Sequence, residues 1–425
     1  MNKTIQPKQS LRGTIRVPGD KSISHRAVMF GALAEGTTEI TGFLDGEDCR
    51  STIACFRTLG VNITQNGETV TVEGKGLRGL SAPVAVLDVG NSGTTMRLMS
   101  GILAAQPFDC EMTGDASICK RPMGRVITPL TQMGADIRGK ENENTAPLLV
   151  HGQPLHGIAY DMPVASAQVK SAILLAGLYA QGATTVRELL PSRDHTERML
   201  RHLGADIRTA DGVITIQPTE TLTAQPIQVP GDISSAAFFI VAALIVPDSH
   251  IIIEGVNVNE TRTGILDALR DMGADIRVTN LRIVCGEEVA DIEARTSKLH
   301  GTTIGGAIIP RMIDEIPIFT VAALFAEGET VVKDAHELKV KESNRIRTMA
   351  EELGKLHATI HETEDGMVIP GGQTLTGGTT NSHNDHRIAM SMAVAGLLAT
   401  GETVVTGSDC AAVSFPGFFE LLARL

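Results

Sequence analysis

A six-residue phrase recurs along the chain and constrains its fold more than any other feature. It reads Met133-Gly134-Ala135-Asp136-Ile137-Arg138, then Leu203-Gly204-Ala205-Asp206-Ile207-Arg208, then Met272-Gly273-Ala274-Asp275-Ile276-Arg277. Weaker copies lie at Leu59-Gly60-Val61-Asn62-Ile63 and at Leu353-Gly354, the latter followed by Ala358-Thr359-Ile360. The glycines, at 60, 134, 204, 273 and 354, stand 74, 70, 69 and 81 residues apart. The physical reading is that Leu or Met closes a helix and Gly takes the left-handed position after it. Polar–apolar alternation then starts a strand. A second phrase, an Ala-rich helix end, a turn and a β-branched strand, recurs over 32–40, 180–186, 326–332 and 399–405. Each unit of about 70 residues therefore holds two helices and roughly four short strands, and six units fit. The last residues, 418–425, lie where a sixth copy of the first phrase would begin.

A third echo marks a seam. Val17-Pro18-Gly19-Asp20-Lys21-Ser22 matches Val229-Pro230-Gly231-Asp232-Ile233-Ser234, and each opens an apolar helix through an Asp or Ser cap. The expected division is residues 19–229 as one domain and 1–18 plus 230–425 as the other, with crossings near 17–20 and 229–232. A stacked solenoid would also repeat, but its units usually run to about 20–45 residues.

Composition limits what such a chain does. With no Trp, two Tyr and eleven Phe, the core must be aliphatic, and the stacking platforms of single-strand binders are missing. A net charge of −12 argues against a nucleic-acid partner, although a local pocket can still be cationic. Cys49, Cys55, Cys110, Cys119, Cys285 and Cys410 are scattered without a CxxC pair, so neither a zinc site nor a disulfide framework is expected. The start of the sequence is polar, and the longest apolar run, Ala236 to Val246, is too short to span a bilayer. A cytoplasmic protein with no membrane partner is the expectation.

The unusual residues gather where the repeats begin their helices. Lys21-Ser22-Ile23-Ser24-His25-Arg26 sets Ser22 at a helix cap and puts Ser22 and Arg26 on one face, a seat for phosphate or carboxylate. Taken alone, such a stretch is more often a solvated basic face. Gly90-Asn91-Ser92-Gly93-Thr94-Thr95-Met96-Arg97 lets backbone amides approach an anion, yet it lacks both the P-loop and the dinucleotide pattern. A tight strand-to-helix turn explains it equally well. Lys120-Arg121-Pro122-Met123-Gly124, Ser166-Ala167-Gln168 and Ser192-Arg193-Asp194-His195-Thr196-Glu197 add cations and hydroxyls, although Arg193 and Glu197 could be a surface pair. The second half differs: Asp314-Glu315 precedes an apolar helix, Lys341 and Arg345 fall on one helical face beside Glu342, and Asn384-Asp385-His386-Arg387 opens another helix. Asp314 and Glu342 are the best acid–base candidates. Recurrence of such groups at successive repeat starts is hard to explain as surface decoration.

In order along the chain, PGDKSISHR, GNSGTT with MR, KRPMG, SAQVKSA, RDHTE, IDEIP, VKESNR and DHRIAMS resemble the 3-phosphoshikimate 1-carboxyvinyltransferase (5-enolpyruvylshikimate-3-phosphate synthase) family of enolpyruvyl transferases. The likeness covers essentially the whole chain. It implies a two-domain inside-out α/β barrel of six βαβαββ repeats, three per domain, closing on substrates at the hinge. It implies addition of a hydroxyl of shikimate 3-phosphate to C2 of phosphoenolpyruvate, then loss of phosphate from a tetrahedral intermediate, with no metal or organic cofactor and a monomeric enzyme. Carried over motif by motif, Lys21, Ser22, Arg26, Ser166, Ala167, Gln168, Arg193, Asp314 and Lys341 would line the shikimate phosphate site. Lys21, Asn91, Gly93, Arg121, Gln168, Arg345 and Arg387 would surround phosphoenolpyruvate. Asp314 resembles the acceptor of the hydroxyl proton and Glu342 the acid–base group at the methylene carbon, with Lys21 a third group able to move a proton.

Two positions depart from one branch of the family, Val413 in place of a Lys and Glu337 in place of an Asn, and both resemble the other branch. An unsubstituted Gly93 implies that the inhibitor glyphosate can enter. The nearest rival, the UDP-N-acetylglucosamine enolpyruvyl transferases of the same fold, carries a reactive Cys where this chain has Asp115; Cys119 stands close by, and KSISHR weighs against that reading.

Overall fold

The structure, a computed structural model, describes residues 1–140 and 143–425. The Leu/Met-Gly phrase ends a helix as its chemistry requires: Gly60, Gly134, Gly204 and Gly273 adopt φ of 86° to 96°, where a Cβ would be penalised. The fifth copy departs. There the helix runs through Gly354, and the left-handed residue is His357, φ 66°.

Thirteen α-helices are described: α1 (Lys21–Leu33), α2 (Glu47–Thr58), α3 (Gly93–Leu103), α4 (Gly124–Gln132), α5 (Ala167–Gly177), α6 (His195–His202), α7 (Ile233–Ile245), α8 (Gly264–Asp271), α9 (Ile308–Met312), α10 (Ile316–Phe325), α11 (Arg345–Gly354), α12 (His386–Gly396) and α13 (Phe418–Arg424). They fall into two kinds. Eleven of the thirteen α1 residues are buried, against three of the nine in α4. The same contrast separates α3, α5, α7, α10 and α12 from the one-faced α2, α8 and α11. A helix buried all round must lie inside its lobe, and an amphipathic one covers it.

The chain divides into two compact lobes. Lobe I comprises Gly19–Val229 and Val284–Glu287; lobe II comprises Met1–Pro18, Pro230–Ile283 and Glu288–Leu425. Each has a hydrophobic core of its own, aliphatic in lobe I apart from Phe30, Phe43, Phe56 and Tyr179. In lobe II, Phe415 and Phe418 pack on Phe238 and Phe239 of α7 with ring centroids 5.6–5.7 Å apart.

Among the described residues, lobe I holds three four-stranded sheets of one pattern. The first strand pairs parallel with the second across a buried helix, and the last two form an antiparallel hairpin returning to it. Strands Leu87–Asp88, Asp109–Thr113, Leu148–His151 and Asp136–Gly139 make one; Ala159–Asp161, Thr184–Arg187, Val213–Ile216 and Ile207–Ala210 make another. The remaining sheet closes the lobe on itself. Its second strand, Glu35–Thr41, follows α1 and its hairpin, Asn62–Asn66 with Thr69–Lys75, follows α2, but its parallel strand is Ile227–Gln228, from the far end of the lobe, paired Ile227 to Ile40 and Gln228 to Thr41. Lobe II closes by the same device. Arg12–Ile15 pairs parallel with His250–Asn257, and Asn2–Ile5 pairs antiparallel with Thr403–Thr406 in a three-stranded sheet. The sixth repeat, which has no third strand, thus takes its hairpin strand from residues 2–5.

Both Pro-Gly phrases are followed by Asp caps. Asp20 Oδ1 accepts from Ile23 N and Asp232 Oδ1 from Ser234 N, each at 2.9 Å. Ser22 is therefore not the cap expected of it but the second residue of α1. Inside lobe I, α3 and α5 cross closely enough that a Cβ on Gly101 would stand 2.1 Å from the Ala172 carbonyl oxygen. Among the described residues no helix is long and apolar enough to cross a membrane.

Candidate active site

In lobe I, hydrogen bonds tie together the starts of α1, α3 and α5. Lys21 opens α1 with its Nζ 2.5 Å from Asp48. Arg26, one turn on, is 3% exposed and donates through Nη1 to the Ser22 carbonyl (2.9 Å), Nε to Thr196 Oγ1 (2.8 Å) and Nη2 to Ser171 Oγ (2.9 Å). Burial pushes its pKa down to about 10, against the opposing pull of Glu197 and Asp20, so it stays cationic at neutral pH. Ser166 caps α5, accepting from Val169 N at 3.5 Å, and Ala167 and Gln168 form its first turn. The Gln168 amide is oriented by α3: its oxygen accepts from Arg97, and its nitrogen donates to Thr94 Oγ1 at 3.0 Å. Arg193 lies half-buried on the loop before α6.

A buried hydroxyl chain sets the start of α3. Ser92 Oγ accepts from Thr95 N (3.1 Å) and Thr95 Oγ1 (2.7 Å); Thr95 Oγ1 meets Thr52 Oγ1, which meets His25 Nδ1, each at 2.7 Å. Ordering the donors along that chain puts the proton of a neutral imidazole on Nδ1. Beside it, Arg121 donates to Asn91 Oδ1, and Asn91 Nδ2 donates to Asp115 at 2.6 Å. Asp115 also accepts from Ser117 N and Ile118 N (2.9 and 2.8 Å), so the residue at the rival family's cysteine position is a loop anchor. A Cβ on Gly93 would lie 3.0 Å from Arg97 Nη1 and 3.4 Å from Arg121 Nη1.

Lobe II gathers its acids around one arginine. Arg345 is 1% exposed; Nη1 donates to Asp314 Oδ1 at 3.1 Å, Nη2 to Glu342 Oε2 at 2.6 Å and Nε to Asp385 Oδ2 at 2.9 Å. Burial would lower the Arg345 pKa, but Asp385, Glu342 and Asp314 together raise it above the ordinary value. Burial likewise works against the Asp385 charge, and Arg345 wins, holding that carboxyl below its usual range. Lys341 Nζ lies 3.5 Å and Arg387 Nε 4.0 Å from Asp314 Oδ1. The expectation that Lys341 and Arg345 share a helical face is corrected. Helix α11 starts only at Arg345, capped by Asn344, and Lys341 is in extended backbone before it. They meet through Asp314 because the chain turns there.

Other residues of these clusters were not singled out from sequence. Lys170, 1% exposed, sits between Glu188 (2.9 Å) and Glu197 (2.7 Å) and donates to the Ser192 carbonyl at 3.3 Å, tying the Arg193 loop to α5. Burial opposes the Lys170 charge, but Glu197 and Glu188 raise its pKa above the ordinary lysine value. Glu197 is therefore no surface partner of Arg193. Asp48 and Asp385 belong with them, and in lobe II a further buried set joins Arg262, Asp232, Ser234 and Glu315 to one another. Lys170 and Asp385 lie inside legible motifs; only their partners, distant in sequence, reveal the role.

The fold alone defines a class. The structure is similar to a solved EPSP synthase from Acinetobacter baumannii, with a TM-score of 0.89 and 49% identity over all of this chain and 98% of that one. A second EPSP synthase structure from that organism matches with the same TM-score at 47% identity, over the same shares of the two chains. Repeated βαβ-type units in two lobes are thus the enolpyruvyl transferase architecture. A sequence model of EPSP synthase (3-phosphoshikimate 1-carboxyvinyltransferase) matches residues 5–422, and the chain belongs to that family. Curated 3-phosphoshikimate 1-carboxyvinyltransferases from Thermoanaerobacter sp. (strain X514) and Bacillus thuringiensis subsp. konkukian (strain 97-27) are each 57% identical to it. Both span all of this chain, with 100% and 99% of the relative covered.

Proposed function

We infer that these two clusters divide the work of enolpyruvyl transfer. The enzyme moves the enolpyruvyl group of phosphoenolpyruvate to the 5-hydroxyl of shikimate 3-phosphate, a step of aromatic amino-acid biosynthesis. In this reading lobe I supplies most of the anion ligands: Lys21, Ser22, Arg26, Ser166, Ala167, Gln168 and Arg193 for shikimate 3-phosphate, and Lys21, Asn91, Gly93, Arg121 and Gln168 for phosphoenolpyruvate. Lobe II supplies Lys341, Arg345 and Arg387 and the two acids. The alcohol attacks once Asp314 takes its proton, and Glu342 hands a proton to the methylene carbon and removes one on elimination. Cations stabilise the phosphate and carboxylate of the tetrahedral intermediate.

The observation that carries this reading is the single buried Arg345 that orients both Asp314 and Glu342, at 3.1 and 2.6 Å. It works as an organiser of the acids more than as an open anion ligand, since its bonds run to carboxylates. The test is phosphate release: it should require both substrates together, and Asp314→Asn should lower kcat by about 10²–10⁴-fold, the usual worth of a positioned general base. Calorimetric titration should still show shikimate 3-phosphate binding in that variant. Turnover unaffected by Asp314→Asn would remove the assignment. Cys119→Ser should leave turnover intact, as expected of a thiol outside the chemistry. We further propose a cytoplasmic monomer with no nucleic-acid or membrane partner.

A further inference from the structure

Two consecutive residues before the Asp385-His386-Arg387 motif, His383 and Asn384, hold left-handed backbone, with φ of 51° and 58°. Asn and His tolerate that region better than most side chains, but a pair in sequence persists only where the surroundings over-determine it. Here they do. Asn381 Oδ1 accepts from His383 N at 2.7 Å, Ser382 Oγ accepts from Asn384 N at 3.1 Å and donates to the Gly407 carbonyl at 2.9 Å. The Ser382 carbonyl accepts from Asp385 N at 2.9 Å.

What fixes this turn from outside is Glu352 of α11. It is 1% exposed and carries four donor contacts: Lys355 Nζ on both oxygens (2.7 and 2.8 Å), His383 Nε2 on Oε1 (2.6 Å) and Asn381 N on Oε2 (2.7 Å). Burial works against its charge and these donors outweigh it, so the carboxyl is held below its ordinary range. Glu352 lies seven residues after Arg345, two turns along the same face of α11. One helix face therefore grips the segment at both ends. Glu352 holds Asn381 and His383, and Arg345 holds Asp385 at 2.9 Å. Asp385 Oδ1 in turn accepts from the Arg387 backbone N at 2.9 Å, which starts α12 and sets the direction in which Arg387 leaves it.

We propose that Glu352 is a positioning residue for phosphoenolpyruvate binding: it holds the strained 381–384 turn, and through that turn it sets the aim of Arg387. This rests on Arg387 being a phosphoenolpyruvate ligand, as read above. A small misplacement of a ligand-binding side chain is enough to weaken it selectively.

The experiment compares steady-state kinetics of Glu352→Gln, His383→Gly, His383→Val and Arg387→Lys. Glu352→Gln keeps the size but sets an amide NH₂ against donors that need an acceptor. It should raise KM for phosphoenolpyruvate about tenfold and leave KM for shikimate 3-phosphate within about twofold. His383→Gly keeps the left-handed backbone and loses one donor, so its effect should be no more than about threefold. His383→Val, β-branched at positive φ, should exceed it. Equal rises in both KM values, a fall in Tm with phosphoenolpyruvate KM unmoved, or equal effects of Gly and Val at 383 would each overturn the proposal. If Glu352→Gln does not fold, the two His383 variants decide alone. Arg387→Lys separates the levels. Unchanged phosphoenolpyruvate KM there would defeat the ligand reading and this inference with it, whereas a raised KM with Glu352→Gln inert would defeat this inference only.

Discussion

His25 sits in the KSISHR motif without a surface to meet solvent, and burial pushes its pKa down to about 3 despite the pull of Asp48. The sign of the consequence is fixed. An unfolded chain protonates this imidazole below its ordinary value near 6.5, while the folded one does not, so acid favours unfolding. Stability from this group is present above pH 6.5 and lost as pH falls toward 3. Between pH 7 and 5 the loss should be about 2 kcal/mol, from 1.36 kcal/mol per pH unit. Urea midpoints measured at the two pH values should differ for the natural chain, and His25→Gln should flatten the difference; an unchanged slope would refute the assignment. Gly93 makes a second test. A methyl there presses on Arg97 and Arg121, both movable ends, so Gly93→Ala should fold but displace Arg121. Phosphoenolpyruvate KM should rise roughly tenfold, the worth of one charge-assisted bond, and glyphosate inhibition should weaken. At this scale the candidate cations Lys21, Arg26, Arg121, Arg345 and Arg387 can be picked out of the sequence because they crowd helix starts. Which residue pairs with which cannot. Arg26 and Thr196 are 170 residues apart, and Arg345 and Asp385 are 40 apart, so only tertiary structure joins them.

The elements show where local chemistry suffices. A Leu or Met followed by Gly ends a helix because a left-handed residue terminates the bonding pattern, and the three full copies and the Gly60 copy do so. The copy at Gly354 fails because the residues after it continue as a helical turn until His357. Spacing alone puts Lys341 on α11, but spacing carries no information about where Asn344 caps that helix. The buried inner helices depend on close approach, and Gly101→Ala tests it. A Cβ 2.1 Å from a carbonyl oxygen of α5 cannot be relieved by a rotamer, so α3 and α5 must part. The expected cost is about 1–3 kcal/mol, the usual range for overpacking. It should appear as a lower urea midpoint at constant m, and an unchanged midpoint would mean the helices slide apart freely.

At the scale of the whole chain, repetition alone does not finish either lobe. Each closes with a strand from its other end, two to four residues long, and strands so short leave no readable alternation. That is why six repeats could be counted while the partner of Thr403–Thr406 could not be named. Strand Asn2–Ile5 covers that edge in register, Asn2 to Thr406 through Ile5 to Thr403, and Ile5 is 8% exposed against the lobe II core. Removing residues 1–6 leaves Thr403–Thr406 paired only with Thr379–Asn381, with its other edge bare. Because the two hydrophobic cores are separate residue sets, the damage should stay in lobe II. Amide exchange should accelerate at least about tenfold in the 403–406 amides that faced the lost strand, equivalent to about 1.4 kcal/mol of local stability. Amides of α1, α3 and α5 in lobe I should keep their protection. A uniform loss across both cores would instead mean that they unfold as one cooperative unit, and the closing strand would then support the chain as a whole rather than its own lobe.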